Sequence, residues 1–110
     1  MTHGLMLVSA ENRNELGSLN DGDIIDLAVV GNSLSIRADT DEAVVQYVRF
    51  GWDGVRHTEG RAPFVMAGKA GAGYIPVDYL ASPGAKTVTV DAFDGTTIVD
   101  TYTVSFTVEA

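Results

Sequence analysis

The segment spanning residues 48–64, VRFGWDGVRHTEGRAPF, gathers many of the chain's chemically versatile side chains. It holds the only tryptophan, Trp52, and one of the two histidines, His57, together with three of the seven Lys and Arg residues. An indole ring can stack on a sugar, an imidazole can act as a base or metal ligand, and charged groups such as Arg56 and Glu59 can hydrogen-bond to hydroxyls. This segment is therefore the first place to look for a site.

Trp52 has two interpretations, which the sequence leaves open. Alternation places Val48, Phe50 and Trp52 on one side of a strand, the side expected to face the core. Trp52 is then either a core aromatic beside a tight turn or a platform for sugar stacking. If it is a core residue, Trp52→Ala should cost roughly 3–5 kcal/mol.

The charged residues nearby do not form a recognisable catalytic set. The second histidine, His3, is close to the amino terminus, so no histidine pair with metal-binding spacing is present. No nucleophile elbow accompanies His57. We interpret Arg56, Glu59 and Arg61 as a cross-strand charge set in preference to a substrate clamp.

Two acidic clusters lie at predicted strand ends and could offer oxygen ligands to calcium. The first contains Asp39, Asp41 and Glu42, and the second contains Asp91 and Asp94. Neither matches an EF-hand, so we interpret both as solvated turn acids. The sequence predicts no metal site and no cofactor.

A long irregular segment, residues 62–84, carries further aromatics. Its GKAGAG stretch lacks the Lys-Ser/Thr ending of a phosphate loop. Tyr74 and Tyr79 are suitable for stacking on sugars, although for Tyr74 we favour the interpretation that it anchors the loop by packing under its own chain. A loop of this length is functional, or it holds a short helix or an edge strand.

Composition narrows the classes of function. The chain has 110 residues, 45% of them hydrophobic, and a net charge of −8, which disfavours nucleic acid as a partner. Apolar runs fall short of the roughly 18 residues of a membrane span. Cysteine is absent. The apolar stretch LMLV is too short for a signal peptide, so we expect a chain acting outside the cell to be excised from a longer polypeptide.

The dominant periodicity is two. TYTVSFTVEA, AKTVTVDAF and NSLSIRADT alternate apolar with polar residues and predict strands with one solvated face. LMLVSAEN and DIIDLAVV predict shorter strands, and NRNELGSLNDG predicts the turn between them. Asp53-Gly54 predicts a two-residue type I′ hairpin. Short strands at this spacing predict an all-β, immunoglobulin-like antiparallel β-sandwich that spans residues 1–110 as one domain.

The ordered series VRFGWDG, RAPF, GAGY and PGAKTVTV resembles the immunoglobulin-like repeat modules of large secreted or cell-surface bacterial proteins. Such modules are often found beside carbohydrate-active, malectin-like or adhesive domains. Trp52 stands where the family usually has leucine, and Lys69 lies in a segment that is usually more acidic. The matching positions are Phe50, Asp53, Gly54, Glu59, Ala62, Pro63, Gly73, Tyr74, Pro83 and Gly84.

The resemblance implies an exported, multimodular setting and no catalytic residues. We therefore expect a non-catalytic spacer or adhesion module whose partners are neighbouring domains, a polysaccharide or a surface protein, without nucleic acid or membrane insertion. The alternative is a carbohydrate-binding module using Tyr74 and Tyr79, joined by Trp52, Arg56 and Glu59. An enzyme, which would need paired carboxylates about 5–9.5 Å apart for glycoside hydrolysis, ranks last.

Overall fold

A computed structural model describes residues 4–40, 44–61, 63–71 and 73–110. These described residues form eleven strands, one short helix and one 3-10 turn. The strands are β1 (Gly4–Ser9), β2 (Glu15–Leu19), β3 (Ile24–Asp26), β4 (Leu34–Asp39), β5 (Tyr47–Trp52), β6 (Val55–Glu59), β7 (Phe64–Val65), β8 (Lys69–Ala70), β9 (Gly73–Tyr74), β10 (Gly84–Asp94) and β11 (Thr97–Glu109). The helix α1 comprises Leu27–Val30, and the 3-10 turn comprises Asp78–Ala81.

Two sheets pack face to face. The smaller sheet has the strand order β2-β1-β4-β7, and the larger has the order β3-β11-β10-β5-β6. β8 and β9 form a separate hairpin. The predicted all-β sandwich is thus confirmed, with one departure: β3 pairs with β11 in parallel, whereas a wholly antiparallel arrangement was expected.

The core lies between the sheets and is built by the predicted alternation. Val88 and Val90 of β10 and Phe106 and Val108 of β11 are buried, whereas the residues between them face outward. Phe50 of β5 is fully buried. The period of two in the sequence therefore predicted both the strands and their inward faces.

The outer face of β4 was predicted to be solvated, and this expectation is wrong at Ser35, which is fully buried. Residues of the long irregular segment cover the outside of the smaller sheet. There Tyr74 and Val65 pack with Val8 and Ala10 in a second, smaller apolar cluster. A strand covered on both faces cannot keep one solvated face, whatever its sequence alternation suggests.

The polar stretch NRNELGSLNDG was predicted to be a turn, but it contains strand β2. Four of the five β2 residues are exposed, and only Leu19 is buried. β2 is held by its backbone pairing with β1, from Leu5–Leu19 to Val8–Glu15. An edge strand stabilised in this way does not need an apolar alternation.

The stretch DIIDLAVV was predicted to be a strand, but only Ile24–Asp26 is extended. The Asp26 carboxylate accepts a hydrogen bond from the Ala28 amide at 3.0 Å and caps a helical turn. Gly31, at φ 82°, ends that turn. Local capping thus overrides the β-branched composition.

The hairpin predicted from Asp53-Gly54 is confirmed. Trp52 and Val55 are directly opposed across the turn. Asp53 and Gly54 both have positive φ angles, 45° and 75°, as a type I′ turn requires. The hairpin therefore fixes Trp52 at the tip of the larger sheet.

In the described part of the chain, no helix is both long and apolar enough to span a membrane.

Candidate functional site

Three of the five predicted binding residues line one groove on the outside of the larger sheet. Trp52 and Arg56 border it from the β5–β6 hairpin, and Tyr79 borders it from the 3-10 turn. Thr87 and Thr89 of β10 add hydroxyl groups to its lining. We call this space, about 480 Å³ in volume, the outer groove.

The outer groove is open over Gly51 because this residue has no side chain. Gly51 lies between Thr89 of β10 and Arg56 of β6 in the sheet register. A Cβ atom at position 51 would reach the Thr89 Cβ and the Val55 carbonyl oxygen only at 4.0 Å. A side chain would therefore be tolerated by the backbone and would fill the groove.

Tyr79 is held in one orientation before any ligand arrives. Its hydroxyl oxygen accepts a hydrogen bond from the Thr87 amide at 3.0 Å. The Lys86 Nζ lies 4.5 Å from the ring centroid and covers one face by a cation–π contact. A fixed aromatic ring costs little conformational entropy on binding.

A second space, the end hollow, lies at the tip of the sheet and also contacts Trp52 and Tyr79. Its volume is about 640 Å³, and Asp53, Asp78 and Lys86 contribute to its lining. Lys86 is only 8% exposed, and its Nζ donates to the Ser82 Oγ at 2.9 Å. Within the described ranges, no carboxylate forms an ion pair with it. The end hollow therefore combines hydrogen-bond donors and acceptors beside two aromatic rings.

Tyr74 does not join the other candidates. It is only 5% exposed, and its amide donates to the Ala10 carbonyl at 2.7 Å. The guanidinium of Arg13 lies 4.7 Å from the ring centroid. Tyr74 is thus the loop anchor that was the alternative interpretation, and it offers no open face to a sugar.

Glu59 also lies apart from the outer groove. Its Oε1 is 3.1 Å from the His57 Nε2, and its Oε2 is 2.9 Å from the Lys69 Nζ. Lys69 also donates to the Arg61 carbonyl oxygen at 3.1 Å. The predicted cross-strand charge set is therefore wrong in its partners. Glu59 binds Lys69, which belongs to the long irregular segment, instead of Arg56 or Arg61.

Two of the residues in the acidic clusters, Asp39 and Asp91, form ion pairs. Asp39 binds Arg37 at 2.6 Å, and Asp91 binds Arg49 at 2.9 Å and accepts from the Thr101 hydroxyl at 3.0 Å. Asp94 is exposed, whereas the predictions for Asp41 and Glu42 fall outside the described residues. Among the residues that the structure describes, no group of three His, Asp or Glu side chains could hold a metal ion.

The sequence offered no direct signal for two residues of this site. Lys86 alternates as an inward-facing position on β10, but nothing in the local pattern indicates that its ammonium group lies over Tyr79. The role of Gly51 depends on the strands beside it. Comparisons with protein-family models, with curated proteins and with solved structures found no match.

Proposed function

We propose that this chain is a non-catalytic, immunoglobulin-like module of a longer exported polypeptide, where it acts as a spacer or interaction domain. The single observation that supports a spacer best is the placement of its first and last strands. β1 begins beside the middle of β11, and the chain leaves the sandwich at the far end of that strand. Domains joined at these two points would be held apart along the axis of β11.

The separation of these two points follows from the position of Tyr102 within β11. The carbonyl oxygen of Gly4, the first residue of β1, lies 3.4 Å from the Tyr102 hydroxyl, which donates to it. From Tyr102, β11 runs seven residues further to Glu109, about 24 Å at roughly 3.4 Å per residue. The longest dimension of the molecule is 39 Å. The separation along β11 is therefore more than half as long as the longest dimension of the molecule.

The contact at Gly4 is insensitive to ordinary changes of pH. Burial raises the pKa of Tyr102 above its usual value, and the negative charges of Asp100 and Asp39 raise it further. The phenol consequently stays neutral and keeps its proton as a donor to the Gly4 carbonyl. An anchor of this kind suits a module exposed to variable external conditions.

The spacer function is tested by joining two copies of the chain end to end and measuring small-angle X-ray scattering. We expect a maximum dimension well above the 39 Å of the single chain, because the two junctions are separated along β11. The control is the same pair joined through a Gly/Ser linker of about 20 residues, which behaves as a flexible coil and broadens the distribution of distances. A directly joined pair that is folded back side by side would contradict the proposal.

A second candidate function, carbohydrate binding, is favoured by the convergence of Trp52, Arg56 and Tyr79 on the outer groove. Aromatic rings can stack on the apolar face of a pyranose. The guanidinium of Arg56 and the hydroxyls of Thr87 and Thr89 can hydrogen-bond to sugar hydroxyls. The site differs from the one predicted by sequence, because Tyr74 and Glu59 are replaced by strand residues of β10.

The carbohydrate-binding candidate is tested with a glycan array followed by tryptophan fluorescence titration. Gly51→Thr should abolish any binding while keeping the melting temperature, because its side chain fills the groove without a backbone clash. Thr107→Val, on an exposed position of β11, is the matched control and should bind as the wild type does. Equal binding by Gly51→Thr would place the sugar outside the outer groove. An array that shows no binding would leave the spacer as the remaining proposal.

A further inference from the structure

Both sheets of the sandwich end on the same side of the molecule, and they leave an apolar cleft there. Among the described strands, β2 pairs only with β1 and β3 pairs only with β11. The space between these edge strands and α1 has a volume of about 240 Å³ and is lined mainly by aliphatic side chains. We call it the edge cleft. An edge strand presents unpaired N–H and C=O groups that can pair with another chain.

Three large apolar side chains are exposed around the edge cleft. Leu16 of β2 is 38% exposed, Ile24 of β3 is 63% exposed and Val29 of α1 is 79% exposed. Buried Leu7 and Leu19 also line the cleft. Single exposed apolar residues are ordinary, but several around one concave space mark an interaction surface.

The charge around the edge cleft is negative. Residues 14–36 contain four acidic residues, Glu15, Asp21, Asp23 and Asp26, and no Lys or Arg. Asp23 and Asp26 line the cleft itself. Glu15 lies 3.6 Å from Arg37, but that guanidinium also pairs with Asp39 at 2.6 Å. A single cation shared by two carboxylates leaves this edge acidic.

This charge selects among the possible occupants. A second copy of the chain would bring another acidic edge to the same cleft, and like charges brought together oppose association. A segment with alternating apolar and basic residues would fit both the aliphatic lining and the negative charge of the edge cleft. In an extended conformation its two sets of side chains point to opposite sides, so one set can enter the cleft while the other meets the carboxylates.

We propose that the edge cleft docks an extended, basic and apolar segment of a partner protein, which adds to the smaller sheet beside β2. This inference rests on the interaction role proposed above and names its partner chemistry. Main-chain hydrogen bonds to the open edge of β2 supply affinity, and the pocket formed with Ile24 and Val29 supplies specificity for alternate side chains. β2 is suited to this addition because four of its five residues are exposed.

The test uses a fluorescein-labelled peptide of sequence KVKVKVKVK and measures its binding to the whole chain by fluorescence anisotropy. We expect hydrogen exchange of the β2 amides to slow when the peptide binds. A peptide with the same sequence but N-methylated at alternate residues keeps the charge and side chains while losing half of its donors. It should bind at least tenfold more weakly, and EVEVEVEVE should not bind.

Variants locate the site. Leu16→Lys and Ile24→Lys should each weaken binding of the basic peptide at least tenfold and leave the melting temperature unchanged, because both side chains are exposed. Val55→Lys is the matched control, since Val55 is an exposed apolar residue on β6, the edge strand at the far side of the larger sheet. This variant should lose much less affinity than the other two.

Several outcomes would overturn the inference. Absence of binding would do so, as would equal binding by the N-methylated peptide or equal loss in Val55→Lys, which would indicate only general attraction to an acidic protein. Self-association in sedimentation that Leu16→Lys abolishes would make a second copy the occupant. The scattering of the end-to-end pair reports the spacer role separately, so the two proposals can fail independently.

Discussion

Replacing Phe50 by alanine is expected to lower the free energy of unfolding by about 3–5 kcal/mol. The Phe50 side chain is fully buried, and its strand β5 lies between β10 and β6, where Phe50 is opposed by Val90 and His57. Removing the ring loses its apolar burial and leaves a cavity that the two flanking strands cannot close. Urea unfolding followed by far-UV circular dichroism measures the change.

Trp52→Ala provides the comparison, two residues further along the same face of β5. Trp52 packs against the core but is only partly buried, so we now expect a smaller cost, about 1.5–2.5 kcal/mol, than the value that a core position would give. A cost equal to that of Phe50→Ala would mean that the indole has no free surface. It would therefore also count against sugar stacking at the outer groove.

The second large effect is expected at Gly73, where alanine should destabilise the fold by about 3 kcal/mol. A Cβ atom there would overlap the carbonyl oxygen of Ala10 and lie 2.9 Å from that of Glu11. The backbone cannot easily move away. The neighbouring Tyr74 amide donates to the Ala10 carbonyl, and Arg13 donates to the Gly73 carbonyl at 3.1 Å.

Gly60→Ala is the matched control for Gly73→Ala. Gly60 is exposed, and a Cβ atom there would meet nothing within 4 Å. Its substitution should change the free energy of unfolding by less than about 0.5 kcal/mol. If thermal or urea unfolding gave the two alanine variants similar stabilities, β9 would not lie as close to the β1–β2 connection as described here.

The parts of the fold that the sequence predicted are those in which local chemistry and tertiary environment agree. β10 and β11 alternate between a buried and an exposed face, and Asp53-Gly54 occupies a turn that requires positive φ. β2 was missed because its pairing is a property of the backbone and does not depend on its mostly exposed side chains. The burial of Ser35 depends on a distant segment that folds over it.

The same distinction between local pattern and tertiary environment explains which residues of the candidate site the sequence predicted. Trp52 and Arg56 lie on the two strands of one hairpin, so their common position near its tip follows from the turn that the sequence predicted. Tyr74 was selected for its residue type, but its ring is buried against Val8 and Ala10 and contacts Arg13, all of which lie about sixty residues away in the chain. Contacts over that distance are set by the topology, and no local pattern encodes them.

The positions of Gly4 and Glu109 along β11 also determine how the chain would respond to mechanical tension. β11 pairs with β10 along almost its whole length, from Gly84–Val108 to Asp94–Thr97, and its last residues also pair in parallel with β3. A pull on Glu109 directed away from Gly4 acts along the axis of β11. The pull would load these hydrogen bonds together, in shear, rather than peel them one at a time. If further domains are joined at these two points, as proposed above, this topology would let the chain transmit force between them without unravelling from its end.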